Sequence, residues 1–233
     1  MLRPIGIALA ALTILSGCVG TGGGFALPKS APEQIRVANR EVLIAGPKGF
    51  CVDPTETRDT GDSAFVLLGS CAAIANSRSK PHPKVPAILT ATVSRKSTNP
   101  PITGSMPALA DFFTSKAGRA ALSRDGNADT VEVVKTLDRD GVFYIRARDS
   151  SSDILAGATD EYWRALFDVN GRIVSASVFG LREHPIASVK GFEVLQGFTN
   201  RIRIENAVGS GKVVTENKPR ISFFKRVFKS KPE

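Results

Sequence analysis

Few residues of this chain have side chains suited to bond-making, and their spacing sorts them quickly. It holds three cysteines and two histidines. Cys18 follows the small residues Ser16 and Gly17, and an apolar run from Ile5 to Leu15 precedes them. A thiol presented this way is an accessible nucleophile. His82 sits between Pro81 and Pro83, and His184 precedes Pro185. Neither has a second nitrogen or sulfur ligand at a useful spacing, so no metal site is expected. Asp138-Arg139-Asp140-Gly141 has the opening acids of a calcium loop but lacks its further oxygen ligands and closing glutamate. Gly209-Ser210-Gly211-Lys212 fails as a phosphate loop: Asn206 stands where the first glycine belongs and Val213 where the hydroxyl belongs. There is no G-x-S-x-G nucleophile elbow. The adjacent acids Asp160 and Glu161 have the functional groups for acid–base work, although such pairs are ordinarily surface features. Trp163, Tyr144 and Tyr162 offer either an aromatic platform or core packing. The chain is therefore read as a non-enzyme without catalytic residues, metal or cofactor.

Leu15-Ser16-Gly17-Cys18 resembles the lipobox of bacterial lipoproteins. Arg3 supplies the positive start of an export signal, and the apolar run is shorter than the roughly 20 residues of a membrane-spanning helix. The resemblance implies that residues 1–17 are a signal peptide. It makes Cys18 the acylated first residue of a mature chain, anchored in membrane lipid and facing the periplasm of the cell envelope. It leaves inner and outer membrane both open. Each buried methylene contributes about 0.8 kcal/mol, so two or three acyl chains hold far more firmly than one. With Cys18 modified, Cys51 and Cys71 remain. In an oxidising compartment an even remainder points to a disulfide, here between neighbouring predicted strands; two buried thiols are the alternative.

Hydrophobic content of 42% and charged content of 23% are ordinary for a globular chain. The net charge of +9 is concentrated late, in Lys212, Lys218, Arg220, Lys225, Arg226, Lys229 and Lys231. Charge placed in a tail does not make the domain a nucleic-acid binder. Four segments are expected: the signal at 1–17, the lipidated cysteine and a glycine- and proline-containing tether at 18–40, a domain at 41–207, and a linker with a basic tail at 208–233. In the tail, Ile221, Phe223, Phe224, Val227 and Phe228 share one half of a helical wheel, opposite Lys225, Arg226 and Lys229. With Arg220, these residues form an amphipathic segment suited to an anionic lipid surface or an envelope protein. A tail without fixed structure and a helix docked on the domain are the competing readings.

Within the domain, strands are expected at Glu41–Ala45, Phe50–Val52, Ala64–Cys71 and Ile88–Ser94. The last of these is apolar at one alternation and threonine-rich at the other. A helix follows, capped by Ser105, with Leu109, Phe112, Phe113, Ala117, Ala120 and Ala121 on one stripe and Gly126 ending it. Two hairpins come next, turning at Asp138–Gly141 and at Asn170-Gly171. A last helix spans Ile186 to Arg203. Hairpins imply a mainly antiparallel sheet with two packed helices, an α+β fold. This order, with Pro47-Lys48-Gly49-Phe50 after the first strand, resembles the PsbP-like sandwich fold, whose members act mainly as assembly, binding or accessory proteins. The leading expectation is a non-catalytic envelope lipoprotein that binds or scaffolds. A carrier or sensor of a hydrophobic ligand is the second reading. A hydrolase with an unrecognised site is the third.

Overall fold

The computed structural model describes residues 30–151 and 157–209, so Cys18, the apolar run before it, Gly211-Lys212 and the basic tail lie outside the described residues. The fold is α+β. A small sheet pairs β1 (Gln34–Val37) with β2 (Val42–Ala45). The main sheet is eight-stranded, in the order β3-β5-β6-β10-β9-β8-β7, with β4 beside β5. Its strands are β3 (Phe50–Val52), β4 (Arg58–Asp59), β5 (Ala64–Ser70), β6 (Ile88–Val93), β7 (Val131–Arg139), β8 (Val142–Asp149), β9 (Ala158–Val169) and β10 (Arg172–Leu181). Every pairing is antiparallel. The helices are α1 (Cys71–Ile74), α2 (Met106–Thr114), α3 (Lys116–Leu122) and α4 (Ser188–Gly209).

The two long hairpins close as expected. Asp140, Gly141, Asn170 and Gly171 all take positive φ, which matches the twist of the flanking strands. β8 is apolar at both alternations, and each alternation has its own cover. Val142 and Tyr144 face the layer made by α4 and the β1–β2 hairpin, where Leu195, Phe198 and Ile202 meet Val37, Val42 and Ile44. Phe143, Ile145 and Ala147 face α2 and α3, against Met106, Phe113 and Leu122.

Four local expectations change. The stretch expected as tether contains β1, whose Val37 is fully buried while Gln34 and Arg36 are exposed. Only two apolar residues alternate there, behind Pro32, so the strand is stabilised by its partner rather than by its own pattern. The turn after it holds Ala38, Asn39 and Arg40 at positive φ, and the Ala38 N–H donates to Asp59 Oδ1 at 3.2 Å. The expected mid-chain helix is two helices. At Ser115 the backbone is extended, and its Oγ accepts from the Gly118 N–H at 3.1 Å. This cap lets α3 fold back until Gly118 presses on the backbone of Phe112 and Phe113, an approach only glycine permits. Cys71 begins α1 instead of ending a strand. Finally, α4 starts at Ser188 and runs past Arg203 to Gly209. Asn206 explains the extension. Its Oδ1 accepts from the Leu43 N–H at 2.9 Å, and its Nδ2 donates to the Leu43 and Ile202 carbonyls at 2.7 Å each. The last turns of α4 are thereby bound to β2.

Candidate functional site: the uncovered half of the sheet

Strand alternation decides what each face of the main sheet presents. On β5, Ala64, Val66 and Leu68 enter the core beneath α4, which sends Phe65, Leu67 and Gly69 to the opposite face. On β6, Leu89, Ala91 and Val93 point in, leaving Ile88, Thr90 and Thr92 on that same opposite face. On β10 the outward set is Ile173, Ser175, Ser177 and Phe179. The cluster under α2 and α3 takes in β7, β8, Ala158, Tyr162 and Leu166 of β9, Phe179 of β10 and Ile88 of β6. Phe65, Leu67 and Ile173 belong to neither core cluster and are half-buried, and Thr92 is exposed.

The register arranges these residues in rows. Phe65, Thr92 and Ser175 lie side by side across β5, β6 and β10, and Leu67, Thr90 and Ser177 form the next row. Directly paired side chains sit about 5 Å apart, so apolar groups and hydroxyls share these rows. Thr92 is exposed, Phe65, Leu67, Thr90 and Ser175 are half-buried, and Ser177 is buried. Its borders are firm. On one side Arg164 Nε donates to Ser177 Oγ at 3.0 Å, with the guanidinium 5.2 Å from the Tyr162 ring centre. Asp168 lies beyond it, and its Oδ2 accepts from the Ile102 N–H at 2.9 Å. Burial raises this carboxyl above its ordinary pKa, against the backbone donors at Ile102 and Thr103. At one end the short helix α1 brings Ile74 to within 3.6 Å of where a side chain on Gly69 would begin. The Cys51–Cys71 disulfide holds α1 there.

A buried polar cluster pins the covered half. Asp149 is fully buried; its Oδ2 accepts from the Arg124 N–H at 2.7 Å, and its Oδ1 accepts from Thr130 Oγ1 at 3.1 Å and the Ser151 N–H at 3.0 Å. Burial alone would raise its pKa, but these donors outweigh it and hold the carboxylate ionised. Arg124 donates to the Thr159 carbonyl at 2.7 Å and lies over the Phe179 ring at 5.5 Å. These contacts tie the end of α3 to β8, β9 and β10. They connect elements and do not open onto the uncovered surface.

The residues singled out in the sequence scatter. Cys51 and Cys71 are joined. His82 and His184 are exposed, far apart along the chain, and Asp138 and Asp140 flank a hairpin turn. Among the described residues no group of three or more histidines, cysteines and acids is placed to hold a metal ion. Asp160 and Glu161 pair instead with Arg182 and with Arg146 and Arg148. Tyr144, Tyr162 and Trp163 are core residues, at 3%, 2% and 7% exposure, so they form no open platform. Each has a polar tie inward, such as Tyr162 Oη donating to the Leu122 carbonyl at 2.9 Å. Cys18, Arg220, Phe223, Phe224, Lys225, Arg226, Phe228 and Lys229 lie outside the described residues. The uncovered surface was not among the expected sites. Its one signal was the threonine alternation of β6, which read as a strand with a wet face without revealing how far that face extends. No protein-family model, curated protein or solved structure matches this chain.

Proposed function

We propose that this protein is a lipid-anchored envelope lipoprotein that binds another protein without catalysing a reaction. The export signal and Leu15-Ser16-Gly17-Cys18 support the anchor. The observation that carries the binding role is the stretch of sheet face around Phe65, Leu67, Thr92 and Ile173, which belongs to neither packed cluster and is partly exposed. A sheet face with phenylalanine, leucine and isoleucine among hydroxyls can exclude water against a partner and still be soluble without one. The exposed edge favours the same reading. β7 presents Glu132, Lys135, Asp138 and Arg139 and is bulged between Val133 and Lys135, which discourages strand addition. A partner is therefore expected on the face and not on the edge. This is the kind of role that the PsbP-like resemblance implies.

Two measurements test the reading. Labelled palmitate is expected in the wild-type chain and absent after Cys18→Ser, which should also release the protein from membranes; a label that survives the substitution removes the anchor. A photo-crosslinking residue at Thr90, in intact envelopes, is expected to capture one discrete protein, and Thr92→Glu should abolish the capture. Crosslinking no different from that at exposed Lys116 rejects the face as a binding surface.

A further inference from the structure

The chain has no aspartate or glutamate between Asp62 and Asp111, a stretch that includes Arg78, Lys80, His82, Lys84, Arg95 and Lys96. The fold gathers part of it at one end of the sheet. The loop from α1 to β6 carries Arg78, Lys80, His82 and Lys84, all exposed. It is fixed by backbone bonds from Ala72 to Pro81 and from Ser77 to Ala72, and the disulfide secures the start of α1. The turn from β2 to β3 packs on this loop so closely that a side chain on Gly49 would begin 2.5 Å from the His82 carbonyl oxygen. That contact brings exposed Lys48 to the same surface. The acids at this end are Glu33, Asp53 and exposed Glu56 on one side of the loop, and exposed Glu183 with Asp160, paired to Arg182, beyond the end of β10. Glu33 is held near Gly46 by a backbone bond, and the Asp53 carboxylate accepts locally from Thr55.

The N-terminal side of the domain lies at the same end. Ser30 shares a notch of about 350 Å³ with Asp53, Thr55, Ala73 and Ile74, so the chain joins the domain beside α1. About 12 residues separate Ser30 from Cys18, which limits the gap to about 40 Å even if fully extended.

We infer that Lys48, Arg78, Lys80 and Lys84 form a surface that lies against the anionic phospholipid leaflet, orienting the domain with its disulfide end toward the membrane. The inference rests on the anchor proposed above for its geometry, but its chemistry is separable. Basic residues beside an anionic leaflet each strengthen binding roughly 5-fold, with a reach of about 10 Å at 0.1 M salt. The loop backbone that carries Arg78, Lys80 and Lys84 is held by the bonds from Ala72 and Ser77 and by the disulfide, so the three charges stay on one surface.

The test uses the mature chain, residues 18–233, bearing Cys18→Ser, with vesicles of 30% phosphatidylglycerol in phosphatidylcholine. Because the tail is itself basic, Lys225→Gln/Arg226→Gln/Lys229→Gln is the background. In that background, Lys48→Gln/Arg78→Gln/Lys80→Gln/Lys84→Gln is expected to weaken vesicle partitioning by at least about 10-fold at 0.1 M salt. Lys116→Gln/Lys135→Gln, exposed and away from the patch, is expected to change it less than 2-fold. Equal losses from both sets, or undiminished binding to pure phosphatidylcholine, overturn the assignment, as does a background chain that does not bind at all. None of these outcomes bears on palmitate labelling at Cys18, so failure here and failure of the anchor are distinguishable.

Discussion

Alanine at Gly118 and at Gly197 should move stability in opposite directions. Both glycines are helical, and intrinsic propensity alone favours alanine by up to about 1 kcal/mol at each. At Gly197, in α4, a new methyl meets nothing within 4 Å, so Gly197→Ala is expected to stabilise by about 0.5–1 kcal/mol. At Gly118 the same methyl would lie 2.0 Å from the Phe112 carbonyl oxygen and 2.5 Å from Phe113 Cα. Those are backbone atoms and cannot rotate away, so α3 must retreat from α2. Retreat also strains the Ser115 cap and disturbs Leu122 and Phe113, both buried in the second core cluster. Overpacking costs about 1–3 kcal/mol and here opposes the propensity gain. A net loss of roughly 1–2 kcal/mol is expected, or a melting temperature lower by about 2–8 °C for a domain of this size. Urea unfolding monitored by circular dichroism reads both variants directly. If Gly118→Ala matches or exceeds the wild type, α2 and α3 do not pack as described, and the interrupted helix is wrong.

Reduction of the disulfide should destabilise the domain. Its cysteines are 20 residues apart, a loop whose closure contributes about 3 kcal/mol. Urea midpoints of the reduced protein and of Cys51→Ser/Cys71→Ser should agree with each other and fall below that of the oxidised protein; a reduced midpoint equal to the oxidised one would dismiss the crosslink. Asp168 should show the opposite pH sign from an ion-paired acid. Because burial raises its folded pKa, the folded state binds its proton more tightly than the unfolded state. Its contribution is then most favourable below the unfolded pKa and is lost as pH rises through the folded value. The stability of Asp168→Asn relative to wild type is therefore expected to improve from pH 3 to pH 7, and a flat or falling difference contradicts the burial.

The hairpins were legible because turn chemistry is local: Asn170-Gly171 can do little else between alternating strands. The disulfide was legible from the even number of cysteines left once Cys18 is set aside and from the oxidising compartment that the lipobox resemblance implies. Other features depend on distant partners. β1 has two apolar residues and forms because β2 is beside it. The break at Ser115 leaves the apolar stripe intact; the clue is glycine three residues beyond a serine, and only the packed pair shows why. α4 outlasts its apolar pattern because Asn206 finds Leu43, far away in sequence. The candidate surface was the hardest to foresee. Phe65 and Leu67 look like any core residues of an apolar strand, and only the placement of α2 and α3 reveals that they stay half-buried outside both core clusters.

The helix α4 sets a length. It runs 22 residues, about 33 Å. Its final turns reach β2 at Leu43, next to Glu41, whose carboxylate meets Arg172 at the start of β10. That is the end of the sheet opposite Ser30 and the disulfide. The chain thus joins the domain at one pole and departs at the other. If the disulfide end lies on the leaflet as proposed, the domain acts as a spacer that sets the end of α4 about 30 Å from the bilayer.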